Sequence, residues 1–388
     1  MSKLLKVLNY VLTILFVANC STTFSLRKSS SPNSKPETIQ DHSPSTQQES
    51  LEKPSKSASA ASVRQTDLPL VRNSSTEKWI RYFQTTAHRS FIRWRERGES
   101  FRESIEEALV QKGVPSELYY VSLIESGFVH HASSTAAAVG PWQFIRDTGA
   151  RYGLKINDWI DQRRDPVRST QAAAALLRDL HARFGDWYLA LAAYNGGPRT
   201  IDEAIKKGHT RDFWQLKSKG LLKKETGEFV PKLLAAVIIA SDPVEFGFPA
   251  TLVQAYASFP STTIKIKRPI KMDELSKKLA IPLEQLKQWN PELLRGITPP
   301  KRFLNQEGYA LRIAEPFVKK FAEIQPELKY LQVKDIRIHK ISKGDTIAKL
   351  AKRYHVSVQT VLQINPQLRS RGMVEGMKVA MPVPETAS

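Results

Sequence analysis

The sequence predicts a mainly α protein that ends in two small α+β units, and three observations carry that expectation. Between residues 79 and 240 apolar side chains recur at helical spacing, in places so densely that no face of the helix is left polar. Beyond Phe248 that pattern gives way to an internal repeat at an offset of 75, in which LSKKLAIPLEQLKQWNPEL from Leu275 aligns with LAKRYHVSVQTVLQINPQL from Leu350. Ahead of both, residues 21–75 are rich in Ser, Pro, Thr, Gln and Lys and show no hydrophobic period. Such a composition buries too little apolar surface to offset the entropy of ordering the chain.

The first segment, 1–20, reads MSKLLKVLNYVLTILFVANC, with Lys3 and Lys6 ahead of an apolar run from Val7 to Ala18. That run is short for a membrane span and reads as an export signal. Cys20, the only cysteine in the chain, follows Val17-Ala18-Asn19, which resembles a bacterial lipobox, so Cys20 is the expected site of lipidation. Asn19 departs from the Gly or Ala usual before that cysteine, which leaves a conventional cleaved signal or an uncleaved anchor as alternatives. A single cysteine permits no intramolecular disulfide. The stretch 21–75 then reads as a disordered tether, either with a reach requirement or as an expendable linker.

Folded protein is expected from residue 76. Trp79, Ile80, Tyr82, Phe83, Phe91, Ile92 and Trp94 are interleaved with Arg and Lys, a pattern that reads as helical core with a solvated face in preference to a nucleic-acid surface. A helix over 99–109 stops at Gly113. Pro115 is placed as a first helical residue, and Leu118, Tyr119, Val121, Leu123 and Ile124 make the following helix apolar on nearly every side. Glu125 is the acid set in its apolar part, on a face with Val121 and Leu118, close to the stop at Gly127. Desolvation and the negative end of the helix dipole both raise the pKa of such an acid, and a carboxyl kept protonated near neutrality is what a general acid needs. Half of a structural ion pair is the competing reading.

After Gln143 a short helix over FIRDTGARYG is followed by a loop through Trp159 to Arg164. Asp165-Pro166 supplies an N-cap and first-turn proline for a helix with Ala173, Leu176, Leu177, Leu180 and Phe184 on one stripe, ending at Gly185. Asp186 caps the next helix, whose end delivers Tyr194 and Asn195 at a Gly196-Gly197-Pro198 break. A last long helix, PKLLAAVIIAS, is expected from Pro231. Aromatic rings that stack on sugars, beside Gln and Asn amides that donate and accept, are glycan-cleft chemistry.

Glu125-Ser126-x-Phe128, Ala132, Ser134, Gly140-x-Trp142-Gln143-Phe144, Ala193-Tyr194-Asn195, Glu225-Thr226 and Val230-Pro231-Lys232 together resemble the soluble-lytic-transglycosylase-like domain, over about 114–243. Gly127, where Ala is more usual, and Pro141, where an aliphatic residue is more usual, are departures. The resemblance implies a lysozyme-like helical catalytic domain, assigned to 76–250, with Glu125 catalytic and Ser126, Ser134, Trp142, Gln143, Tyr194, Asn195 and Glu225 against substrate. A surface charge beside Lys223 and Lys224 is the alternative for Glu225.

The second repeat copy, with HKISKGDTI from His339 and a closing GMKVAMPV, is similar to a LysM module, a βααβ unit that binds N-acetylglucosamine-containing glycans, assigned to 335–384. Gly344-Asp345-Thr346 forms its turn and helix cap, and Asn365-Pro366 ends its second helix. The first copy, 260–316, has Lys271-Met272-Asp273 there and is read as a degenerate LysM-like module that packs against the catalytic domain.

Lys and Arg number 58 against 38 Asp and Glu, a formal charge of +20 spread along the chain. Basicity suits polyanions, and export favours peptidoglycan, with its stem-peptide carboxylates, over nucleic acid. The resemblance then implies cleavage of the β-1,4 bond between N-acetylmuramic acid and N-acetylglucosamine by one Glu. Glu125 protonates the glycosidic oxygen, the substrate acetamide assists, and the carboxylate next acts as base on the muramyl 6-hydroxyl to close a 1,6-anhydro ring. No second acid accompanies Glu125 in its helix or in 134–143, although Asp147, Asp165 or Glu225 are candidates to approach in space. No cofactor or metal is expected, and adjacent His130 and His131 read as surface residues. A hydrolytic muramidase and a catalytically silent wall-binding lipoprotein are the alternatives. The expected setting is a monomer in the bacterial cell envelope, held by lipid on Cys20 at the outer membrane and facing the periplasm.

Overall fold

The structure is a computed structural model that describes residues 68–384 apart from 135–136, 253–258, 301–302, 304–306, 332 and 366. The export signal with Cys20, nearly all of the tether and Pro366 lie outside the described residues. The tether's expected end is too late, because Leu68 is fully buried and Asn73 caps the first helix through its side-chain oxygen.

The described residues form α1 (Ser74–Gln84), α2 (His88–Glu99), α3 (Arg102–Val110), α4 (Tyr119–Ser126), α5 (Arg146–Arg151), α6 (Pro166–Phe184), α7 (Trp187–Gly196), α8 (Pro198–Gly208), α9 (Phe213–Ser218) and α10 (Lys224–Ser241). A mixed region follows: β1 (Thr263–Ile266), α11 (Met272–Leu279), α12 (Leu283–Trp289), β2 (Tyr309–Arg312), α13 (Pro316–Ile324), β3 (Val333–Lys340), α14 (Ile347–Arg353), α15 (Val358–Ile364), α16 (Gln367–Arg371) and β4 (Lys378–Pro384). The protein is thus mainly helical, with two small two-stranded antiparallel sheets.

Local signals set most helix ends. Asp165 accepts from the amides of Val167 and Arg168 with Pro166 at the first turn of α6, and Gly185 closes that helix in the left-handed region. Asp186 caps α7 by accepting from Leu189 N. Two ends differ from expectation. Pro115 does not open α4; its ψ of 134° is extended, and a 3₁₀ turn over Ser116–Leu118 intervenes. The last long helix begins at Lys224, so Pro231 lies inside it. Proline has no N–H for the carbonyl four residues back, that of Gly227, and Lys217 Nζ donates to that carbonyl at 2.9 Å instead. The helix runs through its proline because a side chain from α9 replaces the missing donor.

One hydrophobic core joins α1–α4 and α6–α10, with Phe83, Phe91, Leu123, Phe128, Trp142, Leu177 and Leu233 fully buried. In the mixed region each sheet pairs its first strand with its second around a helix pair, α11 and α12 in the first and α14 and α15 in the second, where the short α16 is added before the closing strand, giving two modules on a βααβ plan. Their helices keep the 75-residue offset of the sequence, Met272 to Ile347 and Leu283 to Val358. The matched asparagines explain why. Asn290 Nδ2 donates to the carbonyls of Leu286 and Arg312 while its Oδ1 accepts from Arg312 N; Asn365 repeats this with Val361, Ala380 and Ala380 N. Each side chain pins the end of its helix pair to the closing strand, a role only an amide with both donors and an acceptor fills.

Candidate active site

Glu125 sits in the last turn of α4, whose other residues from Tyr119 to Ile124 are all buried. The helix ends at Gly127, with φ +57°, and Arg97 Nε donates to the Gly127 carbonyl at 2.6 Å. A Cβ there would lie 2.4 Å from the Trp94 ring, so the glycine that departs from the family habit is required by the neighbouring indole. The Glu125 carboxyl is half-buried and packed about by protein. Desolvation pushes its pKa up to about 7, the Lys232 ammonium opposes that rise, and Glu225 adds to it.

Lys232 belongs to α10 and donates from Nζ to the carbonyl of Ile124 at 2.9 Å. It therefore places a cation at the C-terminal end of α4, where the exposed carbonyls carry partial negative charge. Burial lowers its own pKa, while Glu125 and Glu225 hold it up. Lys232 was legible as the one cation inside an apolar helix, yet its position beside Glu125, 107 positions earlier in the chain, was not.

The loop over 132–144 is folded back by short bridges between Ser133 and Val139 and between Val139 and Phe144. Ser126 Oγ donates to the carbonyl of Pro141 at 2.9 Å and so ties α4 to that loop. Ser134 Oγ accepts from Ala138 N, which makes it a turn former. Gln143 lies at φ +48° and donates from Nε2 to Gly140 O at 2.7 Å. With Phe128 at +60° and Ala137 at +57°, three non-glycine residues hold left-handed backbone around the candidate acid, a strain that packed surroundings must maintain.

Tyr194, at the end of α7, donates from its hydroxyl to Trp142 O at 2.6 Å; burial and the Glu125 charge both raise its pKa. Asn195 accepts from Thr226 Oγ1 at 3.0 Å, joining the end of α7 to the start of α10. Glu225 is exposed in the first turn of α10 and still acts on Glu125 through space. So Glu125, Ser126, Gln143, Tyr194, Asn195 and Glu225 come from elements that are bonded to one another around α4.

Two expectations fail on burial. Trp142 is fully buried, with Nε1 donating to Thr170 Oγ1 at 2.9 Å, so its ring is core and cannot face a glycan. His130 is buried too, edge-on to Phe101 with ring centroids 5.0 Å apart, and desolvation lowers its pKa to about 4; only His131 is exposed. Among the described residues no group of three or more His, Cys, Asp or Glu is arranged to hold a metal ion. A separate pocket of about 410 Å³ between α3, α5 and α6, lined by Gln111, Tyr152 and Gln171 among others, contains none of the candidate residues.

Comparison with known proteins gives three family matches: the Transglycosylase SLT domain over 103–217, the Lytic transglycosylase MltD LysM-like domain over 261–323, and the LysM domain over 339–382. The chain is 30% identical over 295 residues to the membrane-bound lytic murein transglycosylase D of Escherichia coli K12, covering 74% of this chain and 64% of that protein. It is 37% identical over 110 residues to a putative tributyltin chloride resistance protein of an Alteromonas species, covering 28% of this chain and 53% of that one. The X-ray structure of an inactive mutant of the lytic transglycosylase Slt from Pseudomonas aeruginosa matches at 23% identity and a TM-score of 0.33, covering 38% of this chain and 25% of that one. The chain spans 64% of the length of the Escherichia coli relative.

Proposed function

We propose that this chain, which carries a transglycosylase SLT domain followed by two LysM-type modules, is a peptidoglycan lytic transglycosylase with Glu125 as its single acid and base. The observation that carries the reading is the Glu125 carboxyl, desolvated in the last turn of an apolar helix with its pKa raised to about 7. A carboxyl poised there is protonated in a useful fraction near neutrality and, once it has given up its proton, takes one back without a large penalty.

In this mechanism Glu125 protonates the glycosidic oxygen between N-acetylmuramic acid and N-acetylglucosamine. The bond breaks toward that oxygen, with the substrate acetamide assisting at the anomeric carbon. The Glu125 carboxylate then removes the proton of the muramyl 6-hydroxyl as that oxygen closes on the anomeric carbon, giving the 1,6-anhydro end and restoring the acid. Lys232 faces the carboxylate in the second step, when its charge is most favourable. Gln143 and Asn195 supply amides, and Tyr194 fixes the 142–143 turn through its bond to Trp142 O. Ser126 and Ser134 act on the loop more than on the sugar, since their hydroxyls bond to main chain.

The LysM module at 339–382 is the glycan tether of the enzyme, and lipid on Cys20 is its membrane anchor, at the outer membrane facing the periplasm, with the chain acting as a monomer. Among the described residues no helix is long and apolar enough to cross a membrane. Mass spectrometry of sacculi treated with the purified chain tests the activity: anhydro-muropeptides support it. Reducing muramic ends that incorporate solvent oxygen would replace it with a hydrolytic muramidase, and no soluble product would leave a wall-binding protein.

A further inference from the structure

We infer that the first C-terminal module is a buttress of the active-site loop, with Arg312 as a positioning residue for the reaction at Glu125. This rests on the reading of Glu125 as the acid. The connection runs through one short segment, 158–165, that touches the loop on one side and the module on the other.

On the loop side, Arg163 donates from Nη1 to the carbonyls of Ala137 at 3.1 Å and Phe144 at 3.0 Å, so one buried guanidinium holds both limbs of the turn that presents Gln143. Asp161 fixes that guanidinium through bonds of 2.9 and 2.7 Å. Gly140 packs against the Arg163 carbonyl so closely that a Cβ would come within 1.8 Å of it. Asp165 caps α6, and α6 carries Thr170, the acceptor for the Trp142 indole.

On the module side, Asp161 N donates to Glu292 O at 2.9 Å and Leu294 N to Trp159 O at 3.0 Å, with Ile160 bridged to Leu293 between them. Trp159 and Ile160 lie in the same hydrophobic core as the module's Ile266, Leu275 and Leu311, a core that Ile336, Ile364 and Ala380 of the second module also join. Arg312, at the end of β2, donates from Nη2 to the second oxygen of Asp165 at 2.7 Å. Asp165 is wholly buried and the Arg312 side chain is 11% exposed, so losing either partner leaves a buried charge without this bond. Arg295 adds a bond from Nε to Asp158 O at 2.9 Å.

The two modules differ in the place where a buttress would be expected to differ from a free binding unit. In the second, Gly344 and Thr346 of the turn before α14 are exposed. In the first, the corresponding 269–272 turn is covered by its own chain: Met272 N donates to Gly296 O, Thr298 N to Ile270 O and Leu331 N to Pro269 O. Its interface with the catalytic helices has taken over as the module's use.

The test uses the full-length chain as wild type, Arg312→Met, Arg312→Lys and, on the exposed part of the module, Lys267→Met. Arg312→Met is expected to lower kcat on sacculi by about tenfold to a hundredfold while KM stays within about twofold, as for a residue that misplaces catalytic groups without touching substrate. Amide exchange at Val139, Gly140 and Phe144, which are bonded within the loop, should quicken by about tenfold or more in the same variant. Arg312→Lys recovers part of both, and Lys267→Met matches wild type. Where Arg312→Met loses its helical circular dichroism, Arg312→Lys, which keeps the charge, carries the readings. A folded Arg312→Met with wild-type turnover and wild-type exchange overturns the inference, as does a loss that falls wholly in KM. A wild-type chain that releases no product removes the proposed activity instead, and loop exchange alone then judges the buttress.

Discussion

Lys232 Nζ donates to the main-chain carbonyl of Ile124 at 2.9 Å, which holds an ammonium one residue from the candidate acid, at the electronegative end of the helix that carries it. The charge has two opposite effects on the proposed cycle. It stabilises the Glu125 carboxylate that must act as base, and it weakens the protonated form that must act first.

That balance predicts a pH profile. With Glu125 raised to about 7, the protonated acid is depleted as pH rises through about 7, so kcat/KM should fall along an alkaline limb near that value. Lys232→Met removes the group that lowers the Glu125 pKa and should move the limb to higher pH. Glu225→Gln removes the group that raises it and should move the limb lower. Limbs that shift in the same direction in both variants would show that the two charges do not act on this acid.

Glu125→Gln should abolish product release by a factor of about 10² to 10⁴ while peptidoglycan pull-down is retained. The same variant should change stability with a defined sign. Below about pH 4.5 the acid is protonated both folded and unfolded, and the variants should be alike. Between about pH 4.5 and 7 the unfolded chain gives up this proton while the desolvated native carboxyl keeps it, so the difference grows over that window, levels off above about 7, and by pH 8 Glu125→Gln should be the more stable by on the order of 3 kcal/mol. Urea denaturation at pH 4.5 and 8 measures this; a Gln variant less stable at pH 8 would mean that the carboxylate is paired and not starved of water.

Trp142→Phe is expected to act on stability. Losing the Nε1 bond to Thr170 in a fully buried site should cost about 1–2 kcal/mol in a denaturation curve, with KM for glycan little changed. An unchanged curve accompanied by a raised KM would restore the ring to the substrate side.

Asn290→Ala and Asn365→Ala should each destabilise their own module by about 2–4 kcal/mol, because each leaves the N–H and C=O of a buried strand residue, Arg312 or Ala380, without the amide that pairs them. Limited proteolysis should then cut within 263–312 for the first variant and 333–384 for the second. Asn365→Ala that stays protease-resistant and loses glycan binding would point to a direct contact with sugar.

Much of this molecule was readable residue by residue. Caps such as Asp165 and Asp186, the stop at Gly185 and the 75-residue repeat are local or periodic signals, so the helices and the two βααβ modules could be expected before any contact was known. Pro231 misled because its cost as a helix interior residue is offset by a lysine from α9, and no local rule sees that donor. His130 misled in the same way, its depth being set by Phe101 from another helix.

The sequence by itself determined that an acid would stand near the end of an apolar helix, since helical periodicity alone decides which neighbours share its face. Only the tertiary structure decided what that acid meets. Lys232, Tyr194 and Glu225 reach Glu125 from helices far along the chain, Trp142 turns inward to Thr170, and Arg312 crosses 147 positions to Asp165. Side-chain direction and desolvation arise from the packing of whole elements against one another, and no spacing within one element encodes them.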